Sequence, residues 1–106
     1  MITYEDFSKL ELRIGKIIEA EVHPNADKLY QLKVDIGEKI IQLVAGIRQF
    51  YSLEELKDKL VVVVTNLEPR EIRGVLSEGM LLAAHGSTGI SILIPNSPVE
   101  PGSKIK

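Results

Sequence analysis

The sequence predicts an all-β fold: a five-stranded Greek-key barrel with a short helix between strands 3 and 4, an N-terminal helix and a C-terminal extension. Three observations carry this reading. Residues 30–36 alternate between apolar (Tyr30, Leu32, Val34, Ile36) and polar (Gln31, Lys33, Asp35), the period of a half-buried strand. Short Ile-, Val- and Leu-rich runs recur at 12–22, 39–45, 60–65 and 79–84, with Gly, Pro or Asn in the segments between them. A helix start, Ser52-Leu-Glu-Glu55, falls between the third and fourth of these strands.

Element by element, Thr3 with Asp6 three residues later resembles a capping box and predicts a helix to about Leu10, with Phe7 and Leu10 on one face. In the strand at 12–22, Ile18, Ala20 and Val22 alternate with Glu19 and Glu21, and Gly15 predicts a bulge or bend. Gly37-Glu38 turns the 30–36 strand into the next one, making a hairpin. The helix from Ser52 is expected to run two turns, to about Asp58, and to plug the open end of the barrel. Residues 60–65 and 79–84 read as buried strands, with 66–80 as a polar loop between them. Gly86 and Gly89 frame a turn before 90–94, and Pro95, Pro98 and Pro101 place the tail at an edge or outside the barrel. This order is that of an OB-fold, whose second and third strands and adjoining loops take ligand. No repeat or linker divides the chain, so residues 1–106 are expected to form one domain. The apolar residues of the two flanks (Tyr4, Phe7, Leu10, Ile92, Ile94, Val99) either cover the barrel or meet a second copy.

Composition narrows the function. The 106 residues are 44% hydrophobic, which argues for a folded core, and contain no cysteine, which excludes disulfides and thiolate metal sites. No apolar run approaches the ~20 residues of a membrane span, so no membrane partner is expected. Residues 1–6 lack the charged start and apolar middle of a signal peptide, and a cytoplasmic location is the expectation. Catalysis is hard to build here. Gly86-Ser87-Thr88-Gly89 lacks the strand-to-helix context of a nucleophile elbow, and the two histidines, His23 and His85, sit in no motif. Neither histidine has carboxylates at metal-ligand spacing, and no catalytic residue, metal or cofactor is assigned.

Binding is the stronger reading. Two polar segments, His23 to Tyr30 and Asn66 to Met80, lead into or lie between apolar strands, where a β-domain keeps its ligand contacts. The net charge of −2 means that any nucleic-acid contact must come from a local cluster. With no Trp, two Phe and three Tyr, stacking platforms for single strands are scarce. Shape recognition of a folded RNA through phosphates and 2′-hydroxyls needs fewer. The candidate donors are Lys28 at the barrel rim, Lys33 on the polar face of its strand, and the guanidinium forks of Arg70 and Arg73, with Asn66 and Ser77 as neutral donors. Asn25-Ala26-Asp27 is expected to shape its loop through local Asx bonds. Against this stands a salt-paired loop. Glu68, Glu71 and Glu78 interleave with Arg70 and Arg73, so residues 66–80 carry 2 − 3 = −1.

The chain resembles the tRNA-binding domain family, which includes free-standing bacterial tRNA-binding proteins, the C-terminal domain of methionyl-tRNA synthetase, the endothelial monocyte-activating polypeptide and the yeast synthetase cofactor. Asp6-Phe7, Leu12 to Ile17, His23 to Tyr30, Gly46-Ile47, Asn66-Leu67, Arg73-Gly74, Ser77, Gly79-Met80 and Leu82 to Ala84 carry the resemblance. It implies an OB-fold that binds tRNA without catalysis, near the outer corner of the L, with little amino-acid specificity. Asn66, Arg73, Ser77 and Met80 match the family's RNA-contacting signature, with Lys28 and Lys33 beside them, and Met80 would give an adaptable apolar contact or simply pack in the core. The resemblance further implies a homodimer, and a chain that either stands alone or serves a methionyl-tRNA synthetase as C-terminal domain or small subunit. Glu68 and Glu71 make the segment before Arg73 less basic than is usual in the family. The alternative is a dimeric, secretion-chaperone-like relative that binds protein in an apolar cavity.

Overall fold

Strict alternation at 30–36 becomes the inner wall of a barrel in the computed structural model, which describes residues 1–106. Strand β2 (Tyr30–Asp35) buries Tyr30, Leu32 and Val34 and pairs antiparallel with β1 (Leu12–Val22) on one side and β3 (Ile40–Ala45) on the other. On its far side β1 pairs with β4 (Leu60–Val64), and β4 with β7 (Met80–Leu81). The resulting sheet order β3-β2-β1-β4-β7 is the predicted five-strand antiparallel barrel.

The barrel closes where β3 meets the segment before β7. Glu78 N–H donates to Gln42 O at 2.8 Å, and Gln42 N–H donates to Glu78 Oε1 at 2.9 Å. Val44 N–H donates to Ser77 Oγ at 3.0 Å. Side chains here complete a seam that a regular ladder leaves open.

Inside, Ile17, Leu32, Leu43, Val61 and Val63 are inaccessible to solvent. Helix α2 (Leu53–Leu56) caps one end of this core with Leu56, also fully buried. Its capping box is complete: Glu55 N–H donates to Ser52 Oγ, and Ser52 N–H to Glu55 Oε1. The helix is one turn, shorter than predicted. Lys57 is already extended and Asp58 has φ 67°, which aims Asp58 N–H at Ile17 O, 2.7 Å away. Helix α1 (Tyr4–Phe7) is likewise one turn. Thr3 Oγ1 accepts from Asp6 N–H, but the Asp6 carboxylate turns to Lys9, so only half of the expected box forms.

Gly15 does not make the bulge. The register between β1 and β2 slips between Ile17 and Glu19 instead. Gly15 serves close packing, since a Cβ there would stand 2.5 Å from Val34 Cγ1. The expected 79–84 strand is two pieces, β7 and β8 (Ala83–Gly86), because the chain changes partner at Leu82 from β4 to β9 (Gly89–Ile92). The tail does lie at an edge, where β10 (Lys104–Ile105) adds to β1. Of the surplus flank residues Ile92 joins the core, while Tyr4, Leu10, Ile94 and Val99 stay exposed.

Candidate nucleic-acid interface

The predicted polar loop at 66–80 is mostly a hairpin. Strand β5 (Arg70–Ile72) pairs with β6 (Val75–Ser77) in the register Arg70↔Ser77 and Ile72↔Val75, leaving Arg73-Gly74 as a two-residue turn. Both turn residues have positive φ (53° and 89°), as a tight hairpin of right-handed twist requires. The hairpin rises beside the His23–Leu29 loop, and the two are bonded together. His23 Nε2 lies 2.9 Å from Ile72 O, Asn25 Nδ2 donates to Arg73 O at 3.1 Å, and Arg73 Nη2 donates to Asn25 O at 3.0 Å. Asn25 therefore ties two loops together and does not make the local Asx turn expected of it.

The joined loops enclose a polar recess of about 400 Å³ lined by Asn25, Asp27, Lys28 and Arg73. Lys28 and Arg73 are both exposed. On the other side of the hairpin a second recess of about 200 Å³ brings together Arg70, Ile72, Leu67, Ser77 and Met80. Met80, half exposed, also lines an apolar cleft of about 360 Å³ with Val44, Gly46, Leu82, His85 and Ile90. Cationic and apolar side chains thus meet at Arg70 and Met80 in the second recess, and Met80 joins it to the apolar cleft. Lys33 stands apart on the outer face of β2, opposite Glu19 on β1 and Gln42 on β3.

None of these cations is neutralised by contact. The three ion pairs of the chain are Lys9–Asp6, Arg13–Glu11 and Lys16–Asp58, which leaves Lys28, Lys33, Arg70 and Arg73 unpaired. The salt-paired loop considered above does not form, and Glu78 is drawn away into the barrel seam.

Two expected neutral donors are occupied elsewhere. Ser77 is 5% exposed, and its hydroxyl accepts from Val44 N–H and donates to Gly79 O. The Asn66 amide accepts from Glu11 N–H at 2.8 Å and donates to Lys9 O at 2.7 Å, holding the segment between α1 and β1 against β4. Both side chains are thus engaged in holding the fold together. Of the aromatics, Tyr30 is inward and donates to Tyr51 O, whereas Phe50 is exposed and lies against Gly89. The cross-loop use of His23 and Asn25 left no sequence signal, because their partners lie 48 to 49 residues away.

Comparison with known proteins places the chain among relatives over nearly its whole length. The family described as "Putative tRNA binding domain" matches residues 12–104. A methionine--tRNA ligase of Pyrococcus horikoshii is 51% identical over 105 residues, 99% of this chain; the chain spans 14% of that protein's length. Among solved structures, a CsaA chaperone protein from Picrophilus torridus superposes with a TM-score of 0.93 at 37% identity, covering all of both chains. A MetRS related protein from Pyrococcus horikoshii gives 0.93 at 30% identity, covering 100% of this chain and 98% of that one.

Proposed function

The chain belongs to the tRNA-binding domain family, and we propose that it binds folded tRNA by shape, without catalysis of its own. The observation that carries this reading is the set of unpaired cations on the joined loops: Lys28 and Arg73 in one recess, Arg70 in the next. Fixed guanidinium forks on a hairpin suit phosphate oxygens at set spacing. With few exposed aromatics, stacking on a single strand contributes little. Met80 adds apolar contact beside Arg70, and Lys33 extends the cationic surface along β2.

Three cations at the hairpin give a weak site, which works best when tethered. The similarity to methionine--tRNA ligases suggests how: as the C-terminal domain or a small subunit, the chain would hold tRNA near a catalytic site carried elsewhere. A homodimer would raise effective concentration in the same way. The exposed Tyr4, Leu10, Ile94 and Val99 are the surface proposed for it.

A second reading, binding of an extended polypeptide, is favoured by the apolar cleft at Met80 and by the likeness to a chaperone protein. It leaves the cations of the hairpin without a role, so the RNA reading takes precedence. The test is a titration against native, magnesium-folded tRNA and a single-stranded RNA of equal length at two salt concentrations. Preference for folded tRNA, falling steeply with salt, supports the proposal. Equal affinity for both RNAs, or none for either, overturns it, and in the second case an unfolded polypeptide is the ligand to try.

A further inference from the structure

We propose that His23 and Asn25 are positioning residues for RNA binding, latching the Arg73 turn so that its guanidinium is presented in one geometry; the inference rests on the tRNA-binding reading above. His23 is 3% exposed and sits between the 23–29 loop and the β5–β6 hairpin. Its Nδ1 accepts from Asn25 N–H at 2.9 Å, so the ring proton belongs on Nε2, where it donates to Ile72 O. One imidazole therefore shapes its own loop with one nitrogen and grips the hairpin with the other. Asn25 continues the latch, with its amide on Arg73 O and its carbonyl under Arg73 Nη2.

The latch has something to hold. Arg73 is one of two non-glycine residues in the chain with positive φ, a conformation that costs an L-residue about 1 kcal/mol or more. The hairpin it closes has strands of three residues, too short to be stable alone. Three hydrogen bonds between the 23–25 segment and Ile72–Arg73, two donated by the segment and one by Arg73, offset both costs. Of the guanidinium nitrogens, Nη2 is tethered while Nε and Nη1 have no protein acceptor and remain for a ligand. A side chain held before binding loses less rotamer freedom on meeting phosphate.

The two ring nitrogens can be separated by substitution in the full chain. Gln reaches the Nε2 position and keeps a donor for Ile72 O; Asn reaches only the Nδ1 position and drops the grip on the hairpin. The variants His23→Gln, His23→Asn, Arg73→Ala and His23→Asn/Arg73→Ala would be titrated with magnesium-folded tRNA at several salt concentrations. His23→Asn should weaken binding several-fold and lower the salt slope by about one, as Arg73→Ala should. The double variant should be no weaker than Arg73→Ala alone, and His23→Gln should stay within about threefold of the parent. Asn25→Ala removes a single exposed link and should weaken binding about threefold, which keeps the idea testable if His23→Asn fails to fold. A side-chain NMR signal of Arg73 Nε–H, distinct in the parent and in His23→Gln but at the random-coil position in His23→Asn, reads the latch without RNA. Parent-like affinity and slope in His23→Asn, or losses that add in the double variant, overturn the proposal. If the parent does not bind tRNA, the RNA reading falls, and an unchanged Arg73 signal in His23→Asn would overturn the latch separately.

Discussion

Gln42 and Glu78 join the two free edges of the barrel through a reciprocal pair: the backbone N–H of each donates to the other, once to a carbonyl and once to a carboxylate oxygen. The Gln42 amide then reaches Leu76 O at 2.8 Å, and with Val44 N–H on Ser77 Oγ four bonds cross one seam. A charge that looked in the sequence like a neutralising partner for Arg70 or Arg73 is in fact a rung of the barrel.

Glu78→Ala should therefore destabilise the fold, not strengthen RNA binding by removing an acidic neighbour alone. Gln42 N–H loses its acceptor in a part-buried position, a cost of about 1–2 kcal/mol. Glu78→Gln keeps an oxygen in place and should stay within about 0.5 kcal/mol of the parent. Urea midpoints at constant m-value measure both. Equal stability of all three chains would mean that the seam is held by other contacts.

Ser77→Ala separates building from binding. Its buried hydroxyl serves Val44 N–H and Gly79 O, and deletion leaves the Val44 donor unmet at about 1–3 kcal/mol. Under conditions where the variant remains folded, its tRNA affinity should lie within about twofold of the parent, by the same reasoning that a residue out of reach of ligand changes little. A large affinity loss at unchanged stability would place Ser77 in the contact surface after all.

The barrel interior tolerates neither loss nor gain of volume. Leu56→Ala opens a cavity under the one-turn helix and should cost about 2–5 kcal/mol. Gly15→Ala puts a methyl 2.5 Å from Val34 Cγ1 and 3.2 Å from Val63 Cγ2. Both neighbours are β-branched and cannot turn aside, so overpacking should cost about 1–3 kcal/mol. Thermal or urea unfolding decides each; a neutral Gly15→Ala would show that β1 and β2 can move apart there.

What could be read from residues alone divides along local and distant causes. The period-2 pattern of β2 and the capping box of α2 are local, and both predicted their elements. Helix α2 ends early because Asp58 N–H is taken by Ile17, forty-one residues earlier, which no local pattern announces. The β1 bulge was assigned to Gly15 because glycine marks bulges, yet the register slip lies past Ile17, while the glycine answers a crowding by Val34 from another strand. The β5–β6 hairpin escaped notice because a two-residue turn usually shows Asn-Gly or Asp-Gly, and here it is Arg-Gly. Of the cations named from the sequence, Lys28, Arg70 and Arg73 are exposed and take part in no ion pair. Ser77 and Asn66 read as ligand donors in the sequence, but their side chains meet groups of β3 and of the segment before β1, which no local pattern announces.

Arg73→Gly isolates the guanidinium from the turn it occupies. Glycine accepts positive φ without a Cβ penalty, so the backbone strain at Arg73 disappears. Against that gain stand the lost bond from Nη2 to Asn25 O and the greater freedom of glycine in the unfolded chain, each about 0.5–1 kcal/mol. The effects nearly cancel, and stability should change by less than about 1 kcal/mol by denaturation. Binding should respond differently. The site loses one of its unpaired cations, so tRNA affinity should fall several-fold and the salt slope by about one. Arg73→Ala loses the same cation but keeps a Cβ in the left-handed turn, so it should match Arg73→Gly in affinity and be the less stable of the two. A stable Arg73→Gly chain that binds tRNA like the parent would remove the hairpin tip from the interface and leave Lys28 and Arg70 to account for it.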